Sequence, residues 1–173
     1  MGGRREKPEY DQKMLDLARV TRVVKGGRRF RFRATLVIGN RKGRVGVGVG
    51  KGGDVSDAIQ KAYNDAKKNL VDVTLSNGTI AYDVSAKEGS AKLLLKPARE
   101  GRGLIAGGAI RAVADLVGIK DIVSKSLGSS NALNLSRATI KALKSLEGGA
   151  VKPRTKEKVA AKTEVVEGEK EAK

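Results

Sequence analysis

Cysteine, histidine and tryptophan are missing from this 173-residue chain, and its aromatic side chains are three tyrosines and two phenylalanines. Without a thiol or an imidazole, cysteine nucleophiles, histidine general bases and Cys/His metal centres are excluded. The same lack rules out a disulfide framework and fits a reducing compartment. A serine nucleophile would need a lysine or carboxylate base, and Glu88, Glu100 and Asp115 show no pairing at a catalytic spacing. No run is long and apolar enough to span a bilayer. The opening M-G-G-R-R-E-K-P-E-Y has no apolar segment of the signal-peptide kind. The expectation is a cytoplasmic protein that is not an enzyme, with no cofactor, metal, small-molecule substrate or membrane role.

Negative charge is also scarce, and unevenly so. The chain carries 36 Lys and Arg against 19 Asp and Glu, a formal net charge of +17. Charge of that size works against compaction, and a polyanionic partner would offset it. Over residues 17–53 stand Arg19, Arg22, Lys25, Arg28, Arg29, Arg31, Arg33, Arg41, Lys42, Arg44 and Lys51, with no acid at all. A solvated surface normally mixes both signs. This segment is suited to meet negative charge.

Its periodicity says how. Residues 28–39, R-R-F-R-F-R-A-T-L-V-I-G, alternate cation with phenylalanine. On a strand, Phe30, Phe32, Ala34, Leu36 and Ile38 share one face, and Arg29, Arg31, Arg33, Thr35 and Val37 the other. Guanidinium groups stay charged and pair with phosphates through two bonds. A strand that spaces them evenly suits helical RNA shape more than base identity. With so few aromatics, base stacking is not the main binding mode.

The segment L-D-L-A-R-V-T-R-V-V-K, from Leu15, reads as a preceding strand closing at Gly26-Gly27. Asn40-Arg41-Lys42-Gly43 reads as a hairpin turn and R-V-G-V-G-V-G-K as the return strand. There Val45, Val47 and Val49 share one face, and Gly46, Gly48 and Gly50 the other. Glycine in a strand marks a close approach by a ligand or another backbone. The expectation is that these glycines lie beside the arginines and let an RNA backbone press close.

Two glycine motifs suggest a nucleotide enzyme instead. Residues 48–53, G-V-G-K-G-G, fit G-x-G-x-x-G, and 101–106, G-R-G-L-I-A, fit its alanine variant. A central parallel strand would be a continuous apolar run, whereas the strand before Gly48 alternates valine with glycine. Lys51 lacks the glycine spacing of a phosphate-binding P-loop. Tight turns and close packing explain the second motif better, and close approach to RNA the first.

Asp54 is placed to cap a helix, and Val55, Ala58, Ile59, Ala62, Ala66 and Leu70 follow helical spacing. The first unit is thus β-β-β-α over 14–70, after a loose tail at 1–13. A second unit over 71–147 reads as strands at V-D-V-T-L, T-I-A-Y-D-V and K-L-L-L-K-P-A, separated first by a turn at Ser76-Asn77-Gly78. A helix over 104–117 stopped by Gly118, a strand at I-V-S-K-S-L and a helix over 134–146 capped by Asn131 or Asn134 complete it. The fold class is α+β. Residues 148–173, rich in Lys, Glu, Ala and Val, are expected to be disordered.

Four motifs in order carry a resemblance: V-V-K-G-G-R-R-F-R-F, G-N-R-K-G-R-V-G-V-G-V-G-K, A-I-Q-K-A and E-G-R-G-L-I-A-G-G-A-I-R-A-V. Over about residues 14–147 the chain resembles the bacterial family of the fifth small-subunit ribosomal protein. The resemblance implies a first domain similar to double-stranded-RNA-binding domains and a two-layer α/β second domain, β3-α-β-α, with a left-handed crossover. It implies binding to 16S ribosomal RNA at the junction of body and head and a part in subunit assembly. It also implies contacts with small-subunit proteins four and eight and with messenger RNA near the entry channel, and a role in decoding accuracy. By position, Arg19, Thr21, Arg22, Lys25, Gly26, Gly27 and Arg28 would reach RNA, in a loop that in this family affects the response to spectinomycin. Gly103 and Arg111 would lie at the contact with protein four. Val47 and Val49 depart from the family, where aromatics are common.

Overall fold

The computed structural model describes residues 9–75 and 78–146. The tail expected at 148–173, the start of the N-terminal tail and Ser76-Asn77 of the expected turn lie outside the described residues.

Cation–hydrophobe alternation opens a long strand whose second half, from Ala34 on, is buried, and antiparallel pairing lets one face of the first half stay polar. β1 (Asp11–Val24) pairs with β2 (Gly27–Gly39) from Asp11 opposite Gly39 to Val24 opposite Gly27. β1 starts four residues before the expected Leu15. Its first residues are held by the ladder rather than by an apolar pattern, so residues 11–13 are strand and not tail. β3 (Arg44–Gly52) returns beside β2, and α1 (Val55–Lys68) crosses the sheet. Asp54 is the N-cap residue, although its side chain makes no capping bond.

The first unit does not end at residue 70. β4 (Leu70–Asp72) pairs antiparallel with β3, Leu70 opposite Gly46, and gives a four-stranded sheet ordered β1-β2-β3-β4. The amide of Val73 extends this edge by donating to the carbonyl of Gly43 at 2.7 Å. Val71 and Asp72 of the expected V-D-V-T-L are therefore strand of the first unit, and that unit runs past residue 70.

The second sheet holds β5 (Val84–Glu88), β6 (Ala91–Pro97), β7 (Leu104–Ile105) and β8 (Ile122–Ser126) in the order β5-β6-β8-β7. The expected strand T-I-A-Y-D-V survives only at its final valine. Upstream, the Thr79 hydroxyl donates to the Asp121 carbonyl at 2.6 Å and Ile80 is buried, which ties this stretch to the loop before β8. The expected helix over 104–117 begins later, as α2 (Gly108–Val117). Leu104 and Ile105 pair parallel with β8 instead, and Gly107-Gly108 separates the two conformations. Gly118 ends α2 in the left-handed region, φ 98°, as glycine permits. α3 (Ala132–Ser145) is capped by Asn131, whose side chain accepts from the Asn134 amide.

The helices pack on opposite sides of the first sheet. Ala34, Leu36 and Ile38 bury against Ala58, Ala62 and Ala66 of α1. On the other face, Val37, Val45 and Val47 join one core with Ile110, Val113 and Val117 of α2 and Leu143 of α3. The β2–β3 turn is bonded into this seam. The amides of Arg41 and Gly43 donate to the carbonyls of Leu116 and Val117, each at 2.9 Å.

Candidate nucleic-acid interface

The arginine face is real but shorter than the sequence suggests, and the glycines are not on it. Pairing puts Ala34 opposite Gly50, Leu36 opposite Gly48 and Ile38 opposite Gly46. Cross-strand partners share a face, so these glycines lie on the phenylalanine side, beneath α1. A Cβ on Gly46, Gly48 or Gly50 would strike the backbone of Ala66, Ala62 or Ala58. The close approach they permit is that of a helix. As RNA contacts Gly46, Gly48 and Gly50 are corrected: all three are buried by the protein itself.

What lies beside the arginines is the valine face of β3. Near the β2–β3 turn this face is covered by the second unit. Toward the β1–β2 turn it opens into a groove of about 500 Å³ lined by Val20, Thr21, Arg22, Val24, Arg29, Arg31 and Lys51. Arg22 stands directly opposite Arg29, and Arg33 opposite Lys51. Like charges facing across a ladder are destabilising. Arg22, Arg29, Arg31 and Lys51 form no salt bridge among the described residues. Four cations on adjacent strands, over a floor of Val20 and Val24, can take up an anion with several charges.

The other predicted cations distribute around this groove. Lys25, Gly26, Gly27 and Arg28 form its exposed tip, with Gly27 at φ 142°. Thr21 lines the groove while it pairs with Phe30, which lies on the far face of the hairpin. Arg19 sits there too, its guanidinium 4.6 Å from the ring centre of Phe30, which is 48% exposed. A cation–π contact at an exposed site contributes only about 0.5–1 kcal/mol, so it leaves Arg19 free to exchange it for a phosphate.

Arg41, Lys42 and Arg44 are not part of the groove. They lie past the other end of β2, whose 13 residues separate the two turns by roughly 40 Å at strand spacing. Two of the three are engaged at home. Arg41 Nε lies 3.0 Å from Asp11, and Arg44 grips Asp72 through Nε at 2.6 Å and its terminal nitrogen at 3.2 Å. That fork pushes the Arg44 pKa up and holds the Asp72 carboxyl below its usual range. Arg33, the third of the row, turns away from the groove toward the second unit, 3.4 Å from Asp16.

Gly103 and Arg111 belong to the second unit. Gly103 adopts φ 76° just before β7, and its amide donates to Asp121 Oδ1 at 2.6 Å. Asp121 is buried and escaped the sequence reading, although an acid inside I-K-D-I-V is a sign of a structural carboxylate. Arg111 is exposed on the first turn of α2 and forms no salt bridge among the described residues. β3 is antiparallel to both its neighbours, β2 and β4. That arrangement is incompatible with the parallel sheet on which a dinucleotide turn works.

Comparison with known proteins is consistent with this architecture. The family description "Ribosomal protein S5, N-terminal domain" matches residues 10–74, which include β4, and "Ribosomal protein S5, C-terminal domain" matches residues 86–158. Proteins named Small ribosomal subunit protein uS5 from three strains of Campylobacter jejuni, 81-176, 81116 and RM1221, are each 57% identical over 140 residues. That alignment covers 81% of this chain and 95% of each relative. With both halves matched in order, the chain belongs to the ribosomal protein S5 family.

Proposed function

We propose that the chain is a structural, non-enzymatic component of the small ribosomal subunit in the cytoplasm, and that it holds 16S ribosomal RNA against the groove of its first sheet. The carrying observation is the cluster of Arg22, Arg29, Arg31 and Lys51, unpaired among the described residues, in a family whose members are ribosomal proteins. The hairpin tip, 25–28, extends the contact, and Arg19 adds to it from the opposite face. Position at the junction of body and head, a part in assembly, neighbours in proteins four and eight, and a place along the messenger entry path follow from the family resemblance. Gly103, held by Asp121, and Arg111, exposed on the next helix, offer a stiff surface for a protein neighbour. A stiff contact there suits an effect on decoding accuracy.

Salt dependence tests the RNA face. If about six cations meet phosphates, log affinity should fall against log salt with a slope of roughly −4 to −5. Replacing Arg22, Arg29 and Arg31 together by Gln should flatten that slope by about 2–3. An unchanged slope in filter-binding titrations with small-subunit ribosomal RNA would take these residues off the interface.

A further inference from the structure

We propose that the seam between the two units holds a separate site for a single phosphate group, built from Arg33, Thr35 and the N-terminus of α3. A cavity of about 290 Å³ lies there, between Leu15, Asp16, Arg33 and Thr35 of the first sheet and residues 130–133 at the start of α3.

The Arg33 guanidinium lines this cavity with its side chain 42% exposed, while its Nε is shut off from solvent and has no hydrogen-bond partner. The terminal nitrogen of the same group reaches Asp16 only at 3.4 Å, long for a bond between charged groups. Thr35 is only 2% exposed and lines the cavity. On the facing wall, Asn131 caps α3 by accepting from the Asn134 amide, and the Asn131 amide donates to Ser129. Ala132 and Leu133 are the first two residues of the 14-residue helix, so their amides have no acceptor within it. Helix N-termini carry the positive end of the backbone dipole and favour oxyanions.

A guanidinium, a hydroxyl and helix amides from residues on the walls of one cavity supply donors for the oxygens of a phosphate. Asp16 is the only acid on the lining and opposes such a ligand. A phosphate would replace its long contact with Arg33. The inference stands without the RNA reading, because the ligand chemistry is the same for a free ion and for a phosphodiester of an RNA strand.

The test follows amide resonances of the full-length protein titrated with inorganic phosphate at constant ionic strength. Ala132 and Leu133 should shift along a saturating curve while the Arg111 amide, outside the cavity, drifts linearly. Arg33→Gln should weaken the half-saturation point at least tenfold. Asp16→Asn should tighten it several-fold, a gain that a misfolded variant cannot mimic. Linear drift at Ala132 and Leu133 in the wild type, equal saturation in Arg33→Gln, or no tightening in Asp16→Asn would each overturn the site. Repeating the titration with a short RNA duplex already bound separates the sources. Loss of the saturable response identifies a phosphodiester as the occupant, and its persistence identifies the free ion.

Discussion

A methyl group on Gly48 would fall on the carbonyl of Ala62 and the amide of Ala66. Backbone cannot yield as a flexible side chain can, so α1 would have to lift from the sheet. Overpacking of this kind costs about 1–3 kcal/mol. Gly48→Ala should therefore lower the thermal midpoint clearly, whereas Gly53→Ala, which meets nothing within 4 Å, should leave it nearly unchanged. Equal midpoints in parallel calorimetric scans would mean that the helix does not rest on this strip. The alternation V-G-V-G-V-G announced that something comes close but not what. Three alanines at helical spacing, Ala58, Ala62 and Ala66, were the matching half of that signal. The two patterns lie in different elements, and only packing joins them.

At the scale of elements, the Arg44–Asp72 fork fastens the short edge strand β4 to β3. Hydrogen bonds from Arg44 hold the Asp72 carboxyl below its ordinary 3.8. A carboxyl with a lower pKa folded than unfolded adds stability above the unfolded value and loses it as pH falls through the folded one. Asp72→Asn should thus be slightly less stable than wild type near about pH 7, by an amount that shrinks with salt because both groups are exposed. The two proteins should converge in acid, once the pH has fallen through the lowered pKa of Asp72 and its carboxyl is protonated. Urea unfolding at neutral and acid pH decides it, and a difference that persists in acid would refute the coupling. Element type was legible in most of the chain, for strands and helices advertise their own period. Element partnership was not. V-D-V-T-L reads as a strand of either unit, and nothing local says that Leu70 pairs with Gly46. Leu104 and Ile105 likewise fit helical spacing, and only the parallel partner β8 draws them into a sheet.

Across the whole molecule, the two units share one core and are stitched by backbone bonds from the β2–β3 turn to the end of α2. A Cβ on Gly118 would strike Arg41 at that junction. Unfolding should accordingly be a single transition with equal calorimetric and van't Hoff enthalpies. Two resolved transitions would show that the units fold independently. The amino-acid order alone determined the segregation of charge, the absence of cysteine and histidine chemistry and the two-faced β2 strand, because composition and period two need no partner. Tertiary structure alone decided that the glycines face a helix and that Arg33 leaves its row for the seam. It also decided that Arg41 and Arg44 are engaged by acids at the far end of the sheet. Those outcomes turn on the register between strands and on contacts between residues far apart in the chain, where a shift of one residue exchanges the faces.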